Sequence, residues 1–115
     1  MIQPGEIYMA DFGPAGPHPV IVVSREELNR GHYVLAVICT SARFATRSKL
    51  ANCVPFHAGE FGFTIECVAQ YENLLSIDKA QLDLAAGLMG ELDEAALQKV
   101  IKANGYVIKS DCTPL

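Results

Sequence analysis

The sequence lacks the short motifs that mark several common kinds of catalytic or cofactor-binding site. It contains no G-x-x-x-x-G-K-[ST] phosphate loop, no G-x-G-x-x-G dinucleotide turn and no H-E-x-x-H metal-binding helix. No nucleophile elbow marks a catalytic serine. His18, His32 and His57 are scattered along the chain, so they do not indicate a preformed multi-histidine metal site. We therefore expect no cofactor and no metal.

Long apolar segments and paired cysteines are also missing. No apolar run reaches the roughly 18 residues that a membrane span requires, and the N-terminus does not follow the pattern of a secretory signal. We expect a cytoplasmic protein with no membrane contact. Cys39, Cys53, Cys67 and Cys112 form no C-x-x-C pair and follow no zinc-finger spacing. We interpret them as small buried or half-buried apolar residues in a reducing compartment.

Length and charge suggest one small domain with a localised basic region. The 115 residues are 50% apolar, which is enough for the compact core of a single domain, residues 1–115. The net charge of -4 argues against non-specific binding to nucleic acid. Five of the nine Lys and Arg residues nevertheless lie within residues 25–49, beside only two acidic residues. This distribution indicates either a contact with a polyanion or a solvated basic loop.

The alternation of apolar and polar residues predicts a mainly β chain that ends in one helix (α+β). Strands are expected at residues 5–12, 19–24, 32–41, 52–56, 64–74 and 81–84. A helical turn is expected at 25–31 and a basic loop at 42–50. Frequent turns and short strands favour a small barrel-like sheet with the helix packed on it. Another five- to seven-stranded α+β arrangement fits the same pattern.

The C-terminal segment changes to a helical period. Asp93 is predicted to cap a helix that begins at Glu94, with Leu92 and Leu97 forming a hydrophobic staple. Apolar residues then recur at helical spacing and are interpreted as a stripe that packs against the sheet. The stripe consists of Leu97, Val100, Ile101, Val107 and Ile108.

Polar side chains suited to phosphodiester chemistry fall in the first loop, at a strand end, in the basic loop and on one strand. In the predicted strand at 64–74, Gln70 and Glu72 are two residues apart and project to the same side, as do Thr64 and Glu66. The alternative is that this polar side of an antiparallel strand simply faces water. The candidate set is His18, Thr40, Ser41, Arg43, Arg47, Gln70 and Glu72.

Three stretches of the sequence carry a resemblance to a known family. The first is GEIY running to DFGP, within residues 5–14. The second is PVIVVS at 19–24, followed by LNR at 28–30 and VICTS at 37–41. The third is VAQYE with SID behind it, within residues 68–78, and a C-terminal helix. In this order and spacing the stretches resemble the MazF/PemK toxins of type II toxin-antitoxin systems, from about residue 5 to residue 108.

The resemblance implies an SH3-like barrel with a C-terminal helix, of the MazF/PemK/CcdB type, usually as a homodimer. It implies a metal-independent, sequence-selective endoribonuclease that cleaves single-stranded RNA, including mRNA. The 2′-hydroxyl attacks the adjacent phosphate and leaves a 2′,3′-cyclic phosphate. It also implies neutralisation by a cognate antitoxin protein, with contact to DNA only through the antitoxin complex.

The resemblance also assigns roles to individual residues. Thr40 matches the family's active-site threonine, and Glu72 falls where relatives carry an acidic residue proposed as general base. Gln70 falls where some relatives carry a catalytic arginine. His18 precedes Pro19, where the family usually has arginine before the proline. Two cations of the family pattern are therefore replaced, and an arginine offers phosphate a permanent charge that glutamine does not.

These roles define a working mechanism and a rival to it. In the mechanism, Glu72 accepts the 2′-hydroxyl proton, Thr40 and Gln70 hold phosphate oxygens, and His18 donates a proton to the leaving 5′-oxygen. RNA would be contacted by Ser41, Arg43 and Arg47, in and just before the basic loop. The rival is a non-catalytic binding module that acts on a protein target, as CcdB acts on gyrase, or on DNA together with its antitoxin.

Overall fold

Six strands form one sheet in the computed structural model, which describes residues 1–108. The strands are β1 (Glu6–Asp11), β2 (Pro17–Val22), β3 (Tyr33–Thr40), β4 (Cys53–Phe56), β5 (Cys67–Asp78) and β6 (Gly90–Glu91). The helices are α1 (Glu26–Asn29), α2 (Phe44–Arg47) and α3 (Glu94–Lys102). The order across the sheet is β4-β5-β3-β2-β1-β6, and every neighbouring pair is antiparallel. The expected mainly β chain with a C-terminal helix is confirmed.

The sheet is buried on both faces, because apolar residues occupy both alternating positions of its central strands. Ile21 and Val37 belong to one core cluster, which α3 covers with Ala96 and Val100. Their sequence neighbours point the other way, into a second cluster that includes Leu82. The central strands are therefore held from both sides, and the polar positions of β2 and β3 fall at the strand ends. No helix within residues 1–108 has the length and apolar character to cross a bilayer.

The start of α3 is as predicted. The Asp93 side chain accepts a hydrogen bond of 2.8 Å from the backbone N–H of Ala96, as an N-cap residue does. Leu92 is buried in the core cluster beneath α3, and Leu97 packs against the same cluster. The cap and the staple together determine where the helix enters the fold.

The end of α3 differs from the prediction. The helix ends at Lys102, and residues 103–106 form a 3-10 turn that contains Gly105. The predicted apolar stripe was wrong beyond Val100, because Ile101, Val107 and Ile108 are exposed. Glycine disfavours helix by about 1 kcal/mol relative to alanine, so the helix ends before it reaches Gly105.

The strand predicted at residues 81–84 is absent. Residues 79–81 form a 3-10 turn that Asp78 caps, with its side chain accepting from the backbone N–H of Ala80 at 2.9 Å. Only Leu82 makes a β-bridge, to Ala10 on β1. The cap tightens the chain directly after β5, and the next strand to pair with β1 is β6.

β5 starts later than predicted, extends further at its C-terminal end, and is irregular in its middle. It begins at Cys67 rather than at residue 64. Cys39 on β3 pairs with Ala69, but Val37 pairs with Leu74, so Ile38 alone faces residues 70–73 of β5. Such a bulge disrupts the alternation of side chains. The predicted common polar face of residues 64–72 was therefore wrong.

A buried asparagine joins three segments near the N-terminus. Asn29, at the end of α1, is completely buried. Its amide nitrogen donates to the backbone oxygens of Ile2, at 3.0 Å, and Ser24, at 2.9 Å. The Ser24 hydroxyl donates to the Asn29 amide oxygen. All polar atoms of this side chain are thus satisfied within the fold.

We predict that Asn29→Ala lowers the free energy of unfolding by about 2–4 kcal/mol, because buried polar groups lose their partners. Urea denaturation measures the effect. Arg30→Ala is the matched control, since Arg30 forms an exposed ion pair of 3.6 Å with Glu26 that solvent screens, so its loss should change stability much less. Equal effects of the two substitutions would contradict the anchoring role of Asn29.

We predict that Tyr8 contributes to loss of stability at high pH. Burial, and then the hydrogen bond of 3.0 Å that its hydroxyl donates to Glu6, raise the pKa of Tyr8 to about 12. The unfolded chain ionises near pH 10, so stability falls by about 2 kcal/mol between pH 10 and 12. Tyr8→Phe should flatten this fall in urea titrations at stepped pH. An unchanged slope would contradict the prediction, and Tyr33→Phe, at an exposed tyrosine, is the control.

Candidate functional site

The start of β2 and the end of β3 bring three of the predicted residues to one edge of the sheet. The β2–β3 register pairs Val20 with Ile38, and its continuation by two residues places His18 across from Thr40. His18 and Ser41 line the same cavity beside these strand ends. His18, Thr40 and Ser41 therefore converge although more than 20 residues of sequence separate the first from the other two.

The cavity has a volume of about 270 Å³ and an apolar floor. Its polar lining side chains are His18, Ser41 and Thr64. The others are Met9, Pro17, Pro19, Cys39, Phe63, Ile65, Cys67 and Met89. A few polar groups above an apolar floor are typical of a cleft that binds a small ligand or part of a larger one.

The His18 ring is oriented by its own loop. Its Nε2 lies 3.1 Å from the backbone oxygen of Ala15. Because a carbonyl oxygen only accepts, this contact requires the proton on Nε2 and leaves the Nδ1 lone pair available. The ring also lies 6.0 Å from that of Phe12, centroid to centroid. Orientation by the loop leaves His18 able to take a proton at Nδ1.

Two hydroxyl groups lie at the strand end that faces His18. The Thr40 Oγ1 accepts a hydrogen bond of 3.2 Å from the backbone N–H of Ala42, so its own O–H remains free to donate. Thr40 is half-buried and Ser41 is exposed. The sheet edge thus carries two hydroxyl donors and an imidazole, of which Ser41 and His18 line the cavity.

Gln70 and Glu72 lie elsewhere, in the bulge of β5. Glu72 is four residues along the strand from Val68, the partner of Thr40, and four extended residues span up to about 13 Å. Its carboxylate is exposed and accepts a hydrogen bond from Asn52. Gln70 is buried at 8% exposure, and its oxygen accepts from Asn73 at 3.0 Å. Gln70 is two residues along β5 from Val68, and Glu72 lies beyond it, where the pairing of β5 with β3 is interrupted.

The basic loop after β3 connects the two regions. Arg43 is exposed and has a left-handed backbone, with φ 54°. Arg47, at the end of α2, donates from Nη1 to the Ala42 oxygen at 3.3 Å. Burial raises the pKa of the Cys53 thiol, the Glu72 carboxylate raises it further, and Arg47 opposes the rise. Arg47 and Glu72 therefore both lie close enough to Cys53 to affect its thiol.

The three cysteines within the described residues are buried free thiols, as predicted; Cys112 lies outside those residues. A hydrogen bond with Cys67, and then burial, raise the pKa of Cys39, so its thiol stays neutral at the floor of the cavity. No three His, Cys, Asp or Glu side chains in residues 1–108 are grouped as metal ligands would be.

Sequence reasoning missed the amide partners of the bulge. The side chain of Asn52 reaches Glu72 across 20 residues, and no local pattern indicates such a contact. Asn73 follows Gln70 by three residues. Two amide side chains at that spacing within an apolar strand were the one sequence signal that this strand is irregular.

The fold and the polar sheet edge define a small, half-barrel β protein with a cleft at the ends of its central strands. Residues 3–104 match the family model described as PemK-like, MazF-like toxin of type II toxin-antitoxin system. The chain belongs to this family, and the resemblance inferred from the sequence is confirmed.

Individual relatives agree with this assignment. The endoribonuclease EndoA of Bacillus subtilis (strain 168) is 28% identical over 109 residues, which cover 90% of each chain. A mycobacterial structure described as an endoribonuclease in complex with its cognate antitoxin superimposes with a TM-score of 0.78 at 22% identity, covering 98% of this chain and 100% of that one. Mycobacterium tuberculosis toxin MazF-mt6 gives 0.76 at 20% identity, covering 93% and 99%. The expected MazF-like fold is thereby confirmed.

Proposed function

We propose that this type II toxin is a metal-independent endoribonuclease that cleaves single-stranded mRNA at selected sequences. The observation that carries the proposal is the convergence of His18, Thr40 and Ser41 at one sheet edge, beside a cleft. An imidazole with two hydroxyl donors can move a proton and hold a phosphate in the same place. A relative that is 28% identical and named an endoribonuclease supports the same reaction class.

The reaction needs no external nucleophile, because RNA carries its own. The 2′-oxygen attacks the adjacent phosphorus, and its proton passes to Nδ1 of His18, the nitrogen that the Ala15 contact leaves free. The bond between phosphorus and the 5′-oxygen breaks, the leaving oxygen takes a proton from water, and His18 returns its proton to the hydroxide that remains. The products are a 2′,3′-cyclic phosphate and a free 5′-hydroxyl. His18 is thus proposed as the base rather than as the acid expected from the sequence.

Thr40, Ser41 and Arg43 would stabilise the charge that develops on the phosphate. The two hydroxyl groups donate to its non-bridging oxygens, and the exposed guanidinium of Arg43 lies three residues further on. Such preoriented donors are worth most where charge grows in the transition state. Arg43 would supply part of the charge that family members carry at the position of His18.

Glu72, Gln70 and Arg47 would contact nucleotides next to the reacting phosphate. A general base must lie within about 3 Å of the proton that it takes, and Glu72 is bound to Asn52 in the β5 bulge instead. Arg47 reaches the same region along α2. We assign these residues to substrate binding and not to proton transfer.

Partners of two kinds complete the proposal. A cognate antitoxin protein would bind this chain and cover the cleft; one structural neighbour is described as an endoribonuclease in complex with its cognate antitoxin. A homodimer would cover part of the exposed apolar surface, which includes Leu75, Leu84 and Leu88. Contact with DNA would arise only in the complex with the antitoxin.

One observation favours the alternative of a non-catalytic binding module. The Gln70 oxygen accepts a hydrogen bond from Asn73, and the Glu72 carboxylate accepts one from Asn52. Such hydrogen bonds within the fold are typical of residues with a structural role. A module of this kind would keep the antitoxin partner and act on a protein target, or on DNA with its antitoxin, without cutting RNA.

We predict that the wild-type protein cleaves a long RNA in EDTA and leaves 2′,3′-cyclic phosphate ends. His18→Ala and Thr40→Ala should each lower the rate at least about 100-fold, because each removes a positioned catalytic group. Glu72→Gln should lower it less than about tenfold. Primer extension and end-group analysis measure the outcome, and Lys102→Ala on α3 is the control.

Two results would contradict these assignments. A loss in Glu72→Gln as large as that in His18→Ala would identify Glu72 as the base. Intact RNA at high concentrations of wild-type protein would favour the binding module.

We predict that Arg43→Gln and Arg47→Gln each reduce the salt dependence of RNA binding. Each phosphate contact to single-stranded nucleic acid contributes about 0.7 to the slope of log K against log salt. Fluorescence anisotropy with a 2′-O-methyl oligonucleotide, which cannot be cleaved, measures the slope. Arg25→Gln, at another exposed arginine, is the control and should leave the slope unchanged. Unchanged slopes in Arg43→Gln and Arg47→Gln would show that Arg43 and Arg47 are not part of the RNA-binding surface.

A further inference from the structure

An aromatic pair lies at the same sheet edge as the candidate active site. β3 and β4 both pair antiparallel with β5, so they run parallel and end at the same edge. Phe44 follows the end of β3 by four residues, and His57 comes directly after β4. Their ring centroids lie 6.0 Å apart with planes at 65°, an edge-to-face contact.

This pair is not part of the hydrophobic core. Neither core cluster includes Phe44, and no residue of α2 is buried. The core aromatic Phe56 instead packs with Phe61 and Phe63. Phe44 is half-buried and His57 is exposed, and an edge-to-face contact occupies one face of one ring only.

The backbone before Phe44 is strained, and the strain positions the pair. Arg43 has φ 54°, a left-handed conformation that is unfavourable for a residue with a side chain. Within residues 1–108 only Phe61 shares a positive φ among non-glycine residues. Strained backbone of this kind clusters at binding sites. Here it turns the chain directly from Ser41 into α2, with Phe44 as the first residue of the helix.

Positive charge flanks the rings. Arg43 is exposed, and Arg47 uses one Nη1 hydrogen bond to the backbone of Ala42. Within residues 1–108, the ion pair present joins Arg30 to Glu26, so these two guanidinium groups are not neutralised by a carboxylate contact. Partly exposed aromatic rings beside two arginines of the same turn and helix form an arrangement that can hold an unpaired base and its phosphates.

We propose that Phe44, supported by His57, is a stacking platform for the base of a nucleotide next to the scissile phosphate. Arg43 contacts the phosphate of that nucleotide, and the stacked base aligns the RNA backbone across Thr40 and His18. The inference deepens the proposed function and rests on it for the position of the reacting phosphate. Phe44 is a positioning residue, since it touches the substrate away from the bond that breaks.

The absence of tryptophan from the chain permits a direct test. Phe44→Trp places a single indole on the platform, and a stacked base quenches its fluorescence. A 12-nucleotide RNA with 2′-O-methyl groups should quench the emission saturably, and an abasic chain of equal length should not. Tyr33→Trp is the control, because Tyr33 is exposed at the opposite end of β3 and should show no quenching.

Kinetics separate stacking from a purely structural role. Phe44→Leu keeps apolar volume but loses the ring, so we expect KM to rise about tenfold and kcat to fall as well, because the phosphate is no longer aligned with His18. Phe44→Tyr should restore the wild-type KM. A wild-type KM in Phe44→Leu, or absence of quenching where anisotropy shows that RNA is bound, would overturn the platform. Absence of cleavage by the wild type would overturn the proposed nuclease alone, since quenching is measured without cleavage.

Discussion

The antiparallel register that joins β2, β3 and β5 is the constraint on which the candidate site depends. It pairs Val20 with Ile38 and Thr40 with Val68, so the start of β2 and the end of β3 come to the same edge. Apolar side chains on both faces hold this register, because a slip by one residue would exchange the two core clusters. The polar cluster is therefore a product of core packing rather than of its own contacts.

Much of the fold follows from local sequence signals, and the departures have physical causes. Asp93 caps α3 as predicted, since an N-cap depends on a side chain and a backbone group three residues apart. The bulge at residues 70–73 depends on how β5 meets β3 and on the distant Asn52, which no local window contains. Of the predicted site, His18, Thr40 and Ser41 lie at strand ends that meet at one edge, whereas Glu72 lies where the bulge interrupts the pairing of β5 with β3.

The resemblance drawn from the sequence implies that histidine stands at position 18 where the family usually carries arginine, and this difference changes the chemistry open to the site. A guanidinium supplies constant charge but takes no proton, whereas an imidazole held through Nε2 offers Nδ1 as a base. The charge that is lost there can be supplied by Arg43, whose left-handed backbone directs the following chain along the sheet edge. Under the proposed function, His18 transfers the proton and Arg43 stabilises the charge, so two residues share these tasks.

Division of these tasks makes the alignment of the RNA more important. When the proton acceptor and the cation stand on different loops, the phosphate must lie between them in one orientation, and misplacement by about 1 Å costs a large factor in rate. His18 is set by the first hairpin, and Arg43 by the turn after β3. A base stacked on Phe44 would be held by the same turn that carries Arg43. Binding energy away from the reacting bond would then position the phosphate toward His18, which is the use of remote binding that catalysis favours.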